Sequence, residues 1–525
     1  MKVLACDGIH EDGLAMFREA GWNVEISDPI KDPAQLAIAL EDADAVLVRS
    51  ATRVPAEALE KAKRLKVIGR AGAGVDTIDV DAATARGIAV MNAPDGNTLA
   101  AAEHAVSLLF ALARHVPRAD AGMKAGQWPK AGLTGFELEG KKLGVIGLGR
   151  IGGTVARKAQ GIGMDVAAYD PFLPASVAGK GSVPLKTLDD LLAWADVITL
   201  HIPRTKETTN LISEARMRQM KKGAYLINAA RGGLIDEDAL LRLLDEGHLA
   251  GAALDTFSTE PLPEDSALRG HAKLILTPHL GASTSEAQQA VSTILARQII
   301  DFAATGAVAG CVNLPPLTAE AAREVGPWMP LMSALGRLAV RLVRAPTRLE
   351  ITYAGRTEAL DTRPLTRLLV ASLLGTASGR VTPVNALQEA AARGLTVAET
   401  VGGDGDGFDR LLRVRVIGDN GAGQTRTREI EATLHRGPRV VRLDGVEIEF
   451  DPLAPVLLLR NEDRPGMIGT VGTELGKAGV NIVNFALGAA GDGQARAAIT
   501  VDKPLTDEQV AALKTIPGVL SLQQV

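Results

Sequence analysis

Cysteine and long hydrophobic runs are scarce in this chain of 525 residues, and each shortage excludes a class of protein. The two cysteines, Cys6 and Cys311, lie far apart without CxxC or Cys/His spacing, which argues against a disulfide framework and against a metal site. No stretch approaches the roughly 18 apolar residues of a membrane-spanning helix, and the start MKVLACDGIHEDG lacks the apolar core of a signal peptide. The sequence therefore predicts a soluble cytoplasmic protein without a metal ion.

An excess of charge of one sign is also missing. The 57 basic and 62 acidic side chains leave a formal charge of −5, and no long Lys/Arg block occurs. Nucleic-acid binding therefore has little electrostatic support as the main function. At roughly 100 to 200 residues per domain, the length predicts three or four domains.

Short apolar strands alternate with helical patterns over the first half of the chain, as in KVLACD, DAVLVRS, KLGVIGLG, DVITLHIP and KLILTPHL. Unbroken Val, Ile and Leu strands in βαβ order predict parallel sheets covered by helices on both faces. A long helical pattern over residues 98–116, ending at Pro117, divides the strands into two such sheets. The first half is therefore predicted to be α/β, with two doubly wound parallel sheets.

The pattern changes at VNLPPLT, residues 312–318, whose paired prolines predict a linker. Residues 331–452 combine an amphipathic helix, further helical stretches and long strands with an Asp444-Gly445 hairpin signal, which predicts an α+β unit. From 455 to 525 the predicted order is that of a ferredoxin-like βαββαβ unit. Its second helix begins at Thr506 with Gln509 three residues later, a capping-box pattern.

The strongest single motif is GxGxxG at Gly147, Gly149 and Gly152, directly after an apolar strand and at the start of a helix. The first glycine permits the tight turn, the second lets backbone approach a pyrophosphate, and the third packs helix on strand. Asp170 ends the next strand about 20 residues later, where a carboxylate binds ribose hydroxyls and repels a 2′-phosphate. The motif predicts an NAD site.

Three polar residues follow consecutive predicted strands: Arg231, Glu260 and His279. Strand ends of a doubly wound sheet open on the crevice where a dinucleotide lies, so these residues can meet. Hydride transfer from an alcohol needs a base for the hydroxyl proton, which we assign to His279. Glu260 would orient the imidazole, and Arg231 would bind a substrate carboxylate and polarise the carbonyl of the keto form.

Each of these residues also has a purely structural interpretation, because a lone His after a strand is more often a loop residue. Their shared position at strand ends favours the catalytic interpretation. His104, His115, His201 and His271 lack such partners in the sequence pattern and are interpreted as structural.

With GLGRIG, NAARGGLIDEDAL, ALDTFSTEP and TPHLGAST in this order, the chain resembles the D-isomer-specific 2-hydroxyacid dehydrogenases. The resemblance implies NAD-dependent oxidation of a 2-hydroxy acid, with the family's catalytic residues at Arg231, Glu260 and His279. It implies a flavodoxin-like substrate lobe at 1–97 and 281–312 and a Rossmann-type NAD lobe at 98–280. It also adds to the cofactor site Arg150, Ile151, Ala229, Asp255 and Gly281.

Within that family, VRSATRV, GRAGAGVDTIDV and MNAPDGNTLAAAEHA are similar to the phosphoglycerate dehydrogenase branch. This implies oxidation of D-3-phosphoglycerate to 3-phosphohydroxypyruvate, in L-serine biosynthesis. Arg49 and Arg70, at strand ends facing the cleft, would meet the phosphate and the carboxylate. Asn97 holds substrate or caps the long helix. Gly74 and Lys130 complete the implied substrate site.

An intervening unit at 313–452 followed by a small unit at 453–525 is the layout of the long forms in this branch, and the last unit resembles an ACT domain. In the family, ACT domains pair between subunits and bind the end product, L-serine, at the interface. Carried over by position, the effector contacts are Asn461, Asp463 and Asn481. The resemblance thus implies a homodimer or homotetramer under feedback regulation, although a plain capped helix start after Pro465 would look much the same.

Two other functions fit the sequence. Another D-2-hydroxyacid dehydrogenase, such as a glyoxylate or hydroxypyruvate reductase, would share the catalytic set without depending on Arg49 and Arg70. A non-catalytic, NADH-sensing protein of the corepressor type shares the fold, although the C-terminal unit and the lack of a basic patch count against it.

Overall fold

In the part of the chain that the structure describes, four β-sheets follow one another in sequence order, each with its own helices. The structure is a computed structural model that describes residues 1–173, 183–305, 310–317, 319–357, 360–375, 381–419, 424–490 and 493–525. Two parallel α/β lobes are followed by a mixed sheet with helices and by a small antiparallel sheet with two helices. The predicted fold class is confirmed.

The first lobe contains five parallel strands in the order β2-β1-β3-β4-β5, which is the flavodoxin-like order. Its elements are β1 Lys2–Ala5, α1 Glu11–Glu19, β2 Asn23–Ile26, α2 Pro33–Ala39, β3 Ala45–Val48, β4 Val67–Arg70, α3 Val80–Ala85 and β5 Ala89–Asn92. All four residues of β3 are buried, as the unbroken apolar run predicts for a central strand. The sequence pattern misses β2, an edge strand in which three of the four residues are exposed and the fourth is half-exposed.

The second lobe is entered through a long helix and contains six parallel strands in the order β11-β10-β9-β8-β6-β7. Beyond β7, Leu185 pairs with Ala168 in an isolated parallel bridge. This bridge stands where the Rossmann fold has its next strand, so the strand order is that of a Rossmann fold. The elements are α4 Thr98–Arg114, α5 Val116–Lys124, β6 Lys142–Ile146, α6 Arg150–Gly161, β7 Asp165–Tyr169, α7 Leu188–Trp194, β8 Val197–Leu200, α8 Glu214–Gln219, β9 Ala224–Asn228, α9 Glu237–Asp245, β10 Leu249–Leu254, β11 Leu274–Leu276 and α10 Ser285–Thr305.

Two helices connect the lobes. Helix α4 packs its buried face on the second sheet, and α10 returns to pack Val291, Leu295 and Ile299 against the first sheet. The predicted helix end near Pro117 is in fact a break at His115, whose φ is 52°, after which Pro117 lies in the first turn of α5, where its missing N–H costs nothing. Among the described residues, no single helix is both long and apolar enough to cross a membrane; α4 and α5 reach that length and composition only as a pair, across a bend of 66°.

The predicted linker begins as part of the first lobe. The backbone of Cys311 bridges Met91 at the sheet edge, and the Asn313 side chain bonds to the backbone of Val90 and Ile88. The segment leaves the first lobe only after these contacts.

The third unit is a six-stranded sheet in the order β13-β12-β14-β15-β16-β17, in which only the β12–β13 pair is parallel. The predicted hairpin joins β16 to β17, with φ of 51° at Asp444 and 76° at Gly445. The elements are α11 Ala319–Val325, α12 Met329–Leu342, β12 Ala345–Gly355, α13 Arg363–Gly375, α14 Ala386–Ala392, β13 Thr396–Val401, β14 Arg410–Asp419, β15 Thr425–Leu434, β16 Pro438–Leu443 and β17 Val446–Phe450.

The C-terminal unit is βαββαβ, with antiparallel strands in the order β19-β20-β18-β21. Its elements are β18 Val456–Glu462, α15 Met467–Lys477, β19 Ile482–Ala489, β20 Gln494–Val501, α16 Asp507–Lys514 and β21 Val519–Gln524. The predicted capping box at Thr506 and Gln509 is present. Leu457 and Leu459 face the two helices, whereas Val456 and Leu458 join the core of the third unit, so this sheet is buried on both faces there.

Candidate active site

The three catalytic candidates follow neighbouring strands of the second sheet. Arg231 comes after β9, Glu260 after β10 and His279 after β11, and these strands are adjacent and parallel. Their carboxyl ends therefore open on one edge of the sheet, as expected for a ligand crevice.

His279 and Glu260 are in direct contact. The Nδ1 atom of His279 lies 2.7 Å from Oε2 of Glu260, and the other carboxylate oxygen accepts a hydrogen bond from the backbone N–H of Phe257. Burial raises the pKa of Glu260, but the hydrogen bond and the charge of His279 act in the opposite direction and prevail, so the pKa lies below its usual value. The ionised carboxylate accepts the Nδ1 proton, and Nε2 is left for other chemistry.

A buried carboxylate holds the loop that carries His279. Asp255 has no exposed side-chain surface, and its backbone oxygen accepts a hydrogen bond from the N–H of His279. The carboxylate is within hydrogen-bond distance of four groups: Nε2 of His104, Oγ1 of Thr277, and the N–H groups of Leu280 and Gly281. Burial opposes ionisation, but these contacts keep the pKa of Asp255 below its usual value.

This arrangement adds structural detail to two sequence-based interpretations. Asp255 and Gly281 stay assigned to the cofactor site as a prediction, and the fully buried side chain of Asp255 also shapes the loop through its hydrogen bonds. His104, interpreted as structural, reaches that carboxylate from α4. No sequence signal could predict this contact, because it depends on how α4 crosses the sheet.

Arg231 spans the cleft between the lobes. Its Nε atom donates to Asp76 of the first lobe at 2.8 Å, with the side chain only about a quarter exposed. A Cβ atom at Gly74 would lie 1.8 Å from the guanidinium, so this position must be glycine for Arg231 to occupy its place. The lack of a side chain at Gly74 therefore lets Arg231 approach the backbone closely. Asp76, the partner of Arg231, was not predicted from the sequence.

Arg70 lies beside Arg231 and Arg49. Burial first, and then the positive charges of Arg231 and Arg49, lower the pKa of Arg70 to about 10. Its Nε atom is buried and has no hydrogen-bond partner among the residues that the structure describes, and one terminal nitrogen donates to the carbonyl of Ala71. Among the described residues, no carboxylate forms an ion pair with Arg49 or Arg70.

The loop that carries Arg49 is anchored by Asp7, at the carboxyl end of β1. Asp7 is buried and has a φ of 63°, a left-handed conformation that Asp tolerates better than most residues. Its carboxylate accepts hydrogen bonds from the N–H groups of Arg49 and Thr52 and from the Thr52 hydroxyl. Asp7 was not among the residues predicted from the sequence, although its position at a strand end was a usable signal.

Asn97 and Lys130 differ in their surroundings. Asn97 is buried at the N-terminus of α4, but its side chain makes no capping bond and its Oδ1 atom has no partner in the described part of the chain. This favours a ligand contact over a cap. Lys130 is exposed in the segment after α5 and is not brought to Arg49 or Arg70 by any described contact.

The glycine-rich turn has the shape of a phosphate-binding loop. Gly147 has a φ of 90°, and a Cβ at Gly152 would lie 1.9 Å from the carbonyl oxygen of Gly147, so neither position accepts a side chain. A Cβ at Gly149, the N-cap of α6, would meet nothing within 4 Å. The backbone is therefore open at the helix N-terminus, where a pyrophosphate can approach the free N–H groups.

Asp170 lies next to this turn. One carboxylate oxygen accepts a hydrogen bond from the N–H of Leu148 and the other from Phe172, which leaves further acceptor positions for ribose hydroxyls. Arg150 forms an exposed ion pair with Asp95 of the first lobe. Ile151 and Ala229 are half-buried and pack against the hydrophobic core that α4 and α6 form with the second sheet. The open backbone at Gly149, the N-terminus of α6 and the carboxylate of Asp170 therefore fit an NAD molecule.

The proposed effector residues do not meet within one chain. Asn461 is buried at the end of β18, with Nδ2 bonded to the carbonyl of Glu462 and Oδ1 without a partner among the described residues, and Asp463 follows it. Asn481 lies beside Asp502 at the opposite end of the same sheet. At about 3.3 Å per residue, the two ends are roughly 20 Å apart.

Three family models match consecutive parts of the chain. The NAD-binding domain of the D-isomer-specific 2-hydroxyacid dehydrogenases matches residues 106–281. The D-3-phosphoglycerate dehydrogenase intervening domain matches residues 324–444, and the ACT domain matches residues 456–516.

Full-length relatives and solved structures agree with these matches. The D-3-phosphoglycerate dehydrogenases of Bacillus subtilis and Archaeoglobus fulgidus are each 38% identical to the chain, over 99% of both proteins. A crystal structure of NAD-dependent formate dehydrogenase from Staphylococcus aureus in complex with NAD covers 57% of this chain and 95% of its own, with 30% identity and a TM-score of 0.52. The chain therefore belongs to the D-3-phosphoglycerate dehydrogenase family, within the D-isomer-specific 2-hydroxyacid dehydrogenases.

Proposed function

We propose that this protein oxidises D-3-phosphoglycerate to 3-phosphohydroxypyruvate with NAD, the first step of phosphorylated L-serine biosynthesis. The observation that carries the proposal is the convergence of three arginines on one cleft. Arg70 ends β4, Arg49 follows the neighbouring strand β3, and Arg231 reaches the same lobe through its hydrogen bond to Asp76. Asp76 is bound to Arg231, and the oxygens of Asp7 are engaged by backbone and hydroxyl donors. Arg49 and Arg70 are thus available for a ligand with two anionic groups.

We assign each charged group of the substrate to an arginine from the positions of the three arginines. Arg231 follows β9, the neighbour of the strand that precedes Glu260, whereas Arg70 and Arg49 lie at the ends of the paired strands β4 and β3 in the other lobe. We assign the carboxylate and the C2 oxygen to Arg231 and Arg70, and the phosphate to Arg49. Asp7 positions Arg49 by fixing the backbone of its loop.

Proton transfer is assigned to the His279–Glu260 pair. His279 takes the C2 hydroxyl proton at Nε2, while Glu260 holds the proton on Nδ1 and stabilises the imidazolium that forms. Bound NAD supplies the acceptor for the hydride that leaves C2. Gly149 and the N-terminus of α6 would receive its pyrophosphate, and Asp170 its ribose hydroxyls.

The rival functions are less well supported. A reductase of unphosphorylated keto acids gives no reason for Arg49, which pairs with no carboxylate of the described residues, to have its loop fixed by a buried carboxylate. A non-catalytic NADH sensor gives no reason for the 2.7 Å contact between His279 and Glu260.

We further propose that two copies of the chain pair through their C-terminal units and bind L-serine between them. The unpartnered Oδ1 atom of Asn461 and the exposed start of α15 suit an amino acid, and only a second copy can bring Asn481 to that end of the sheet. Two or four copies would form the homo-oligomer. The two buried free thiols support a cytoplasmic setting.

The domain limits are part of the proposal. Residues 1–97 and 281–312 form the substrate lobe, residues 98–280 the NAD lobe, residues 313–452 the intervening domain and residues 453–525 the ACT domain. The return of α10 to the first sheet supports the divided substrate lobe.

Replacing His279 tests the assignment of the base. His279→Ala should lower kcat by about a thousandfold or more, because the hydroxyl proton has no acceptor, while the Kd for NADH stays the same. The matched control is His271→Ala, since His271 lies near Asp245 away from the cleft. Near-normal turnover by His279→Ala would contradict the assignment.

Replacing Arg49 tests the assignment of the phosphate. Arg49→Met should lower kcat/KM for 3-phosphohydroxypyruvate by about tenfold or more, because a charge-assisted contact is lost, and should leave kcat/KM for hydroxypyruvate unchanged. Arg18→Met is the control, since Arg18 pairs with Glu11 on α1. An equal loss with both substrates would show that Arg49 does not recognise phosphate.

Titration with L-serine tests the effector site. Both Asn461→Ala and Asn481→Ala should raise the concentration that gives half-maximal inhibition by about tenfold, since each removes a hydrogen-bonding side chain from one half of the shared site. Thr515→Ala, at the far end of α16, serves as the control. Unchanged inhibition in the two asparagine variants would show that L-serine does not regulate the protein through the proposed site in the ACT domain.

A further inference from the structure

A cavity of about 670 Å³ lies where the substrate lobe meets the intervening domain, away from the catalytic cleft. Its walls come from the segment before β4, the turn between α3 and β5, the last part of α10, the linker and helices α12 and α13. The volume falls in the range of small-molecule sites, which is roughly 300 to 1,000 Å³.

The inner surface of this junction cavity is mainly apolar. Both units contribute large hydrophobic side chains: Leu59, Leu65, Leu314, Met329, Leu368 and Val384. Such a lining favours the apolar body of an organic molecule over a simple inorganic ion.

The charged groups of the lining are mostly cations. Two carboxylates, Asp44 and Glu60, are present, and Asp44 already accepts hydrogen bonds from the backbone of Lys2 and from Arg64. The cations number five: Lys63, Arg64, Lys66, Arg86 and Arg367. The lining therefore carries a formal excess of three positive charges, 5 − 2, over the residues that the structure describes there.

Arg367 is the cation best placed for a ligand. It is half-buried on α13, and its guanidinium makes two long contacts of 3.4 Å, to the carbonyl oxygens of Pro383 and Val384. Burial first, and then the charge of Arg363, lower the pKa of Arg367. No ion pair joins Arg367 to a carboxylate in the described ranges, whereas Arg363 on the same helix is paired with Asp361.

We propose that the junction cavity binds an organic anion with an apolar body, whose acidic group pairs with Arg367. The apolar lining buries the body of the ligand, and the excess of cations selects an anion. A neutral molecule of the same shape would bury the same area but leave the guanidinium unpaired, so it would bind more weakly.

The site is placed to tie the two units together. Two hydrogen bonds already cross the junction, from the Thr382 hydroxyl to the carbonyl of Gly87 at 2.8 Å and from the Asn385 amide to the carbonyl of Ala85 at 3.2 Å. A ligand in the cavity touches both sides of this contact, so its binding favours the docked arrangement of the two units.

The test uses the full-length protein with saturating NAD, which occupies the dinucleotide site, and two fluorescent probes. The anion is 8-anilinonaphthalene-1-sulfonate, and the neutral probe is N-phenyl-1-naphthylamine, the same ring system without the sulfonate. Arg367→Met should weaken binding of the anion by about tenfold and leave binding of the neutral probe unchanged. Arg363→Met, on the same helix, should change neither.

A second variant and a stability measurement guard against a folding defect. Thermal unfolding of Arg367→Met, followed by circular dichroism, should match that of Arg363→Met. Arg86→Met, on the opposite wall, should also weaken binding of the anion alone. The proposal is wrong if the unaltered protein does not bind the anion, if Arg367→Met and Arg363→Met bind it equally, or if both probes lose affinity together.

Discussion

A carboxylate with no exposed surface organises the catalytic half of this protein. Burying an unpaired carboxylate costs several kcal/mol, so Asp255 requires hydrogen-bond donors from its surroundings. The loop after β11 supplies three of them and α4 supplies the fourth. The conformation that satisfies Asp255 also gives His279 a φ of 56° and sets its imidazole against Glu260. The position of His279, the proposed base, therefore depends on the hydrogen bonds of a carboxylate that is itself buried.

The cleft has the opposite electrostatic character, because its cations are left with few partners. Arg70 is the clearest case, with a pKa lowered to about 10 by burial and by two neighbouring guanidinium groups. Neighbouring positive charges disfavour the ionised guanidinium, and an anionic ligand relieves this repulsion. Gly72 and Gly74 make the arrangement possible, since a Cβ atom at either would collide with Arg70 or Arg231. In the proposed function, the first lobe would therefore favour a substrate with more than one negative charge.

Local sequence patterns predicted the parts of this structure that depend on local chemistry. The turn at Gly147, the hairpin at Asp444 and the capping box at Thr506 follow from conformations that particular residues favour. Strand β2 was missed because an exposed edge strand of four residues has no apolar signature. Helix α5 was not predicted because Pro117 was interpreted as the end of the preceding helix, although proline also fits the first turn of a helix.

The parts of the site that depend on chain crossings were not predictable from sequence. Asp76 meets Arg231 across 155 residues, and His104 meets Asp255 through the packing of α4. The separation of Asn481 from Asn461 likewise follows from sheet topology, since the two residues flank opposite ends of α15. Motifs identified which residue types take part, and the three-dimensional structure decides which of them touch.

The most direct test of the central claim is the rate of NADH formation by the unaltered protein from D-3-phosphoglycerate and from D-glycerate, its unphosphorylated counterpart. Because Arg49 and Arg70 pair with no carboxylate in the described part of the chain, they can bind a second anionic group, and kcat/KM should be at least about tenfold higher for the phosphorylated substrate. Equal values for the two substrates, or no turnover of D-3-phosphoglycerate, would contradict it.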